Sequence, residues 1–178
     1  MENLPLPPLS YLRTCLRLID DGSLFWKRRP MTHFANRIVA ARWNGRYASK
    51  AAGTAEHGYR KINIDGKRYY SHRIVFYLAT GTDPAELQVD HADGDTSNNR
   101  PANLRLATRE QNASNSAIPR NNRTGIKGVC WSPSELKWRA QLTHRGTRHS
   151  ALFDSITGAE TWVTTLRQQL HAEFARSR

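Results

Sequence analysis

The chain has 178 residues, 27 of them Lys or Arg against 15 Asp or Glu, a formal charge of +12. Its pI near 10.4 exceeds the value of about 9 that suggests a nucleic-acid footprint, and such a field draws in polyanions without reading their sequence. Two cysteines, Cys15 and Cys130, are too few for a disulfide framework or a zinc ribbon, so no structural zinc is expected. An anionic membrane is the weaker partner, because there is no long apolar run and no dominant basic amphipathic helix.

The length allows one ordinary domain or two small ones. The opening MENLPLPPLSYL lacks a basic leader ahead of an apolar core, so a reducing cytoplasm is the expected compartment. Residues 1–8 are proline-rich and read as an irregular arm. Leu9, Leu12, Leu16 and Ile19 recur at helical spacing and predict a short amphipathic helix over 9–20. Asp20-Asp21-Gly22 ends it, and Leu24-Phe25-Trp26 reads as a strand. The basic run Lys27-Arg28-Arg29-Pro30 is either a solvated edge or a phosphate contact.

Residues 30–57 mix Arg37, Arg42, Arg46 and Lys50 with Trp43 and Tyr47. As a loop, such a mixture could hold a backbone and stack on bases. The favoured alternative is that Trp43 and Tyr47 pin the segment to the core. Next, Gly58–Ile64 and Lys67–Ser71 flank Asp65-Gly66, a hairpin signal. Ser71-His72-Arg73 leads into a helix that Gly81 should stop. His72 is either near the site or a buried capping residue. Arg73 is a candidate for a phosphate or for the surroundings of Asp90.

The stretch LQVDHADGDTSNNRPANLRLATREQNASN, residues 87–115, reads as strand, polar loop, strand, helix. Thr108 and Gln111 make a capping box that starts the helix. Asp90 offers a hard oxygen and Asn112 a neutral carbonyl oxygen, a set that suits Mg²⁺ or Mn²⁺ with waters and a substrate phosphate. In an extended strand His91 points away from Asp90, which leaves it to take a proton from water. Singly, these features are bland. An Asp-His pair is usually a turn or a surface hydrogen bond, and Asp93-Gly94-Asp95 is usually just a turn. A calcium hand fits poorly, because no Gly or Glu stands where that loop needs one.

Taken together, Asp90-His91, Asn98-Asn99, Asn103-Leu104-Arg105 and Gln111-Asn112 resemble the core of the phage-type HNH endonucleases. The resemblance implies a ββα-metal fold that cuts or nicks DNA, with one divalent ion on Asp90 and Asn112. It makes His91 the general base and gives Asn103 the bracing of the loop that aims His91. Arg105, beside the motif, becomes a DNA-binding candidate with Arg73. The last motif letter is Asn, as in the homing branch. If phage-encoded, the protein would work in the cytoplasm of a bacterial host.

Residues 117–125 are polar, basic and broken by Pro119 and Gly125, and read as a linker. Beyond it, 126–131, 137–143 and 147–153 read as strands. A helix after Asp154 or Ser155 carries Ala159, Trp162, Val163, Leu166 and Leu170 on one stripe. That order, with Gly128-Val129, Lys137-Trp138, Phe153 and Ala159, resembles the ethylene-response-factor (APETALA-type) DNA-binding domain. Such domains lay their sheet in the major groove. Cys130 and Thr143 depart from the family's arginines, so base specificity does not carry over. The contact candidates are Lys127, Arg139, Gln141, Arg145, Arg148 and His149, with Lys and Arg mainly on phosphates.

The expected fold class is therefore α+β. A ββα-metal nuclease domain occupies residues 1–116, and a small three-stranded antiparallel sheet packed on one helix occupies 126–178. The expected function is a metal-dependent DNA endonuclease of homing type. It would act on double-stranded DNA and nick as a monomer, with a dimer or a second visit needed for a double-strand cut. The rivals are an idle DNA-binding protein and an RNA-binding or RNA-cleaving one.

Overall fold

In the computed structural model, residues 4–115, 118 and 121–171 are described. The chain divides into two compact units, Met1–Leu106 and Ala107–Arg178. The boundary falls ahead of the helix that carries Asn112, which the sequence places with the nuclease domain. None of the described helices is long and apolar enough to cross a membrane.

The first unit opens with α1 (Leu9–Cys15). The helix expected to run to residue 20 stops after Cys15, because Leu16 turns extended. Leu16–Leu18 instead forms β1, antiparallel to β2 (Leu24–Trp26), with Leu16 opposite Trp26. Both readings bury Leu12 and Leu16, so spacing alone could not separate them. The turn between the strands contains Gly22, at φ +84.

The segment at 30–57 is not a loop. Residues Arg37–Tyr47 form α2, whose first turn is closed by the Asn36 side chain accepting from the Val39 amide. A short strand, β3 (Thr54–Glu56), then pairs with β4 (Tyr59–Ile64), and β4 with β5 (Lys67–Tyr70). Asp65 and Gly66 turn the β4–β5 hairpin, both at positive φ, as a two-residue primed turn requires. Next, α3 (Ser71–Thr80) stops at Gly81 in the left-handed region. Leu12, Ile62, Ile64, Ile74 and Val75 form the fully buried centre of this unit. Against it lie β6 (Gln88–His91) and β7 (Leu104–Ala107), hydrogen-bonded as a two-stranded sheet. They supply Val89 and Leu104 to the same core.

In the second unit, α4 (Arg109–Asn115) is started by the expected capping box. Thr108 donates its amide to Gln111 Oε1 at 2.7 Å, and the Gln111 amide returns to Thr108 Oγ1 at 3.2 Å. Part of the segment read as a linker, residues 117, 119 and 120, lies outside the described residues. Asn122 organises the turn through residues 122–126: its Oδ1 accepts from the amides of Thr124 and Gly125, and its Nδ2 donates to the Ile126 carbonyl. Strands β8 (Val129–Ser132), β9 (Lys137–His144) and β10 (Thr147–Phe153) form an antiparallel sheet with β9 in the middle. Helix α5 (Ile156–His171) packs on it through Ala159 and Val163, which meet Val129 and Ala140. Arg167 is an unexpected core member. It is 2% exposed, and its Nη2 donates to the Lys127 carbonyl at 2.7 Å.

Candidate active site

The first unit gathers a buried acid and a buried imidazole at the end of β6. Asp90 is 5% exposed and His91 4%. Strand alternation sends their side chains to different partners. Arg105, on β7, places Nε 3.0 Å from Asp90 Oδ2. A buried carboxylate is stable as an anion only when a cation or donors face it.

His91 is held from two sides. Its Nε2 lies 3.0 Å from Asn99 Oδ1. With a carbonyl oxygen as acceptor, Nε2 carries the proton and Nδ1 is the basic nitrogen. Across the ring, His72 meets it edge-on at 5.0 Å between centroids, and Tyr59 at 6.4 Å. Burial, then the charges of His91 and Arg73, push the His72 imidazole down to about 3. His72 is therefore neutral at working pH and packs on His91 without competing for its proton. It is buried and beside His91, but it does not cap α3, whose N-cap is Tyr70. Tyr59, whose hydroxyl burial pushes up, and Tyr70 complete this aromatic wall.

The loop between β6 and β7 is organised by Asn103 and Asp93. Asn103 accepts the Asp93 amide at 3.1 Å and donates Nδ2 to Asp93 Oδ1 at 2.9 Å and to the Asn98 carbonyl at 2.8 Å. Asn98 Nδ2 donates to Asp93 Oδ2 at 2.7 Å. Burial alone would raise the Asp93 carboxyl, but these donors outweigh it and hold it low. The loop also rests on neighbours: Thr96 Oγ1 donates to the Gly58 carbonyl at 2.6 Å. On its other side the Gly22 turn leaves no room for a side chain beside the Asn99 carbonyl. Asp93-Gly94-Asp95 is thus a turn, as its composition suggests, and its first carboxylate anchors the loop.

Arg73 does not stand out towards solvent. It is 4% exposed, and its Nη1 and Nη2 donate to the carbonyls of Leu87 and Ala85 at 2.7 and 2.8 Å. Its guanidinium shapes the approach to β6 and is not presented to a phosphate. Asn112 lies in α4 of the second unit, partly buried. Among the described residues, no group of three or more His, Cys, Asp or Glu side chains is arranged to hold a metal. Asn99 was visible in the sequence as half of an Asn-Asn pair, but nothing local marked it as the partner of His91.

In the second unit, strand pairing sorts the contact candidates. Ala140 is core, so Arg139 and Gln141 face the other side of β9. Arg148, hydrogen-bonded to Gln141, shares that open face, and Arg139 Nη2 also donates to Ser132 Oγ at 3.1 Å. His149 is opposite Leu142 and therefore falls on the helix side of the sheet. Arg145 is in the β9–β10 turn at positive φ. Lys127 precedes β8, its carbonyl held by Arg167.

These features match known proteins. The HNH endonuclease family model covers residues 69–114, which span α3, β6, the loop, β7 and most of α4. Protein 3.8 of Escherichia phage T7 is 34% identical over 116 residues, 63% of this chain and 96% of that protein. The chain belongs to the HNH endonucleases. A further relative is the uncharacterized HNH endonuclease L560 of Acanthamoeba polyphaga mimivirus. It is 32% identical over 116 residues, and the match covers 64% of this chain and 59% of that one. A solved structure described as DNA binding and cleavage by the HNH homing endonuclease I-HmuI aligns with 88% of this chain and 85% of its own. The TM-score is 0.37 and the identity 18%. As an HNH endonuclease, the protein is a nuclease, with Asp90, His91, Asn99 and Asn103 inside the matched segment.

Proposed function

We propose that this HNH endonuclease is a metal-dependent DNA endonuclease of homing type that nicks one strand per visit. The observation that carries the reading is the fixed, buried pair of Asp90 and His91, with His91 Nε2 set against Asn99 Oδ1. An imidazole oriented by a carboxamide, beside a carboxylate that accepts a cation, supplies a base and an anchor for phosphodiester hydrolysis.

His91 Nδ1 takes the proton from the attacking water. Asn99 holds the ring in the tautomer that leaves Nδ1 basic, while neutral His72 and Tyr59 exclude bulk water from its flank. Asn103 keeps the loop closed behind it. In this reading the ion's protein ligands are the Asp90 carboxylate, which accepts a cationic group on Oδ2, and the Asn112 carboxamide oxygen, both donors of the class that hard divalent ions take. When bound, Mg²⁺ or Mn²⁺ would stabilise charge that develops on the phosphate and the leaving oxygen. A single such site cuts one strand, so a double-strand cut would require a dimer or a second visit.

The second unit is read as an ethylene-response-factor-like module that holds duplex DNA through the open face of its sheet. Arg139, Gln141 and Arg148 lie on that face, with Arg145 and Lys127 at its edges. His149 and Arg73 are not part of this contact surface.

The test is supercoiled plasmid with Mg²⁺, with Mn²⁺ and with EDTA, and products mapped on both strands. Nicked circles with either ion and none with EDTA are expected. Cutting that persists in EDTA, or a substrate preference for RNA over duplex DNA, would contradict the reading.

A further inference from the structure

We propose that α2 is a duplex-docking helix that lies along a DNA groove, with Arg37, Arg42 and Arg46 on its exposed surface reaching phosphates. The proposal rests on the DNA endonuclease reading and adds to it a contact surface outside both the active site and the C-terminal sheet.

The first observation is charge. Between Asp21 and Glu56 the chain has seven Lys or Arg and no carboxylate. Arg29 is spent internally. It is buried, paired with Asp65 at 2.7 Å, and surrounded by the rings of Tyr11, Phe34 and Trp43. Lys27, Arg28, Arg37, Arg42, Arg46 and Lys50 are all exposed. Among the described residues, none of Arg37, Arg42 and Arg46 is ion-paired. A surface of this kind has no internal reason for its charge, and a polyanion complements it.

The second observation is how α2 is held. It is not a surface helix with an apolar stripe inward. Its buried residues are Ala40 and Asn44. Asn44 accepts the Arg29 amide at 2.9 Å and donates to the Arg29 carbonyl at 3.0 Å. Trp43 stacks edge-on against Trp26 at 5.0 Å. Trp43 therefore pins the helix to the core, while Tyr47 packs on Trp43 at 5.2 Å and keeps an exposed edge.

The third observation is the pattern on the outer face. At about 100° per residue, Arg37, Ala41, Gly45, Ile38, Arg42 and Arg46 follow one another across roughly half the circumference. Opposite the buried Ala40 and Asn44, Arg42 points straight out, with Ile38 and Arg46 beside it and Arg37 nearer the buried side. A Cβ on Gly45 would meet nothing within 4 Å, and Ile38 is 64% exposed. A helix about 10–12 Å wide fits the major groove, about 12 Å wide, where arginines on its exposed face reach phosphates. Duplex DNA is the occupant this surface commits to, because the charge is uniformly positive and the chain is read as a DNA endonuclease.

The fourth observation is distance. Gly22, in the β1–β2 turn, abuts Asn99 of the active-site loop, while Trp26, at the other end of β2, carries Trp43 of α2. Four residues of extended chain separate them, at most about 13 Å. That is well inside the roughly 34 Å of one duplex turn, so one duplex can reach both.

The test uses full-length protein in a His91→Ala background, so that DNA is bound without being cut. Binding of a labelled duplex is followed by anisotropy over a range of KCl, for the parent, Arg37→Ala/Arg42→Ala/Arg46→Ala, and Gly45→Glu. Melting temperatures accompany each. The triple variant should bind at least 10-fold more weakly at low salt. Its log–log salt slope should be shallower by up to about 3, near 0.9 per lost phosphate contact. Gly45→Glu should also weaken binding at an unchanged melting temperature, because open space surrounds that position. A parent that binds while both variants bind equally well with the same slope overturns the proposal and leaves the endonuclease reading intact. A parent that does not bind duplex overturns that reading instead. Losses confined to single-stranded RNA, anionic vesicles or an acidic polypeptide would also overturn the proposal.

Discussion

Arg105 Nε sits 3.0 Å from Asp90 Oδ2, so the carboxylate proposed to hold a divalent ion already faces a cation supplied by the next strand. Asp90 is nearly inaccessible, while the Arg105 side chain is about a quarter exposed. Removing the guanidinium strands a buried charge, at a cost on the order of 1–3 kcal/mol. Arg105→Ala should therefore melt at a lower temperature than wild type, and Mg²⁺ should restore more of that loss than it adds to wild type. Thermal unfolding with and without Mg²⁺ checks this. An equal Mg²⁺ effect on both proteins would argue against a shared place for the ion and the arginine.

Gly22 is the second point of leverage. It lies at φ +84, and a Cβ there would stand 2.0 Å from the Asn99 carbonyl oxygen. Both the conformation and the space favour glycine. Gly22→Ala should destabilise the protein by on the order of 2 kcal/mol or more. It should also cut nicking beyond what the lost folded fraction explains, because Asn99 is displaced. Denaturant melts with nicking rates on the folded protein test this. A destabilised variant with full activity per folded molecule would separate Gly22 from the site.

Asn99 acts through His91. Partners that orient a functional imidazole typically contribute about 10–100-fold, so Asn99→Ala should slow nicking by that range. Asn99→Asp keeps an acceptor and should recover part of the rate. Nitrogen chemical shifts of the His91 ring provide a separate readout: the proton should be on Nε2 in wild type and redistribute in Asn99→Ala. A ring with the same tautomer in both would contradict the assignment.

His72 gives a pH prediction. Burial, together with the charges of His91 and Arg73, brings it from its usual 6.5 down to about 3 in the folded protein. Between those values the unfolded chain binds the proton and the folded chain does not, so stability rises with pH. The contribution is complete above about 6.5 and is lost as pH falls towards 3. His72→Phe keeps an apolar ring of similar reach and should flatten the acid side of the stability curve. Urea midpoints measured from neutral to acid pH check this. Parallel curves would show that acid lability has another source.

Much of the site was readable because each step had a local signal. Asp65-Gly66 needs positive φ at both positions, Gly81 ends its helix in the left-handed region, and Thr108 with Gln111 closes a reciprocal cap. Those signals delimit the strand–loop–strand–helix segment that carries Asp90, His91 and Asn112. Other features depend on contacts far apart in sequence. The α2 helix is anchored by a buried Asn on the Arg29 backbone, which leaves no apolar period to detect. The first helix is cut short by pairing with residues 24–26. The environment of His91 is assembled from residues 59, 72 and 99, and no spacing rule links them. Arg73 shows the same limit from the other side: an arginine on a basic chain looks like a phosphate contact until its burial is known.

The most direct test of the central claim is single-turnover nicking of supercoiled DNA in Mg²⁺ by wild type and His91→Ala, with duplex binding measured alongside. If His91 is the base, wild type gives nicked circles, His91→Ala is slower by about 100-fold or more, in line with general-base contributions, and both bind duplex similarly. Equal nicking rates at equal occupancy would remove His91 as the base and contradict the mechanism built on it.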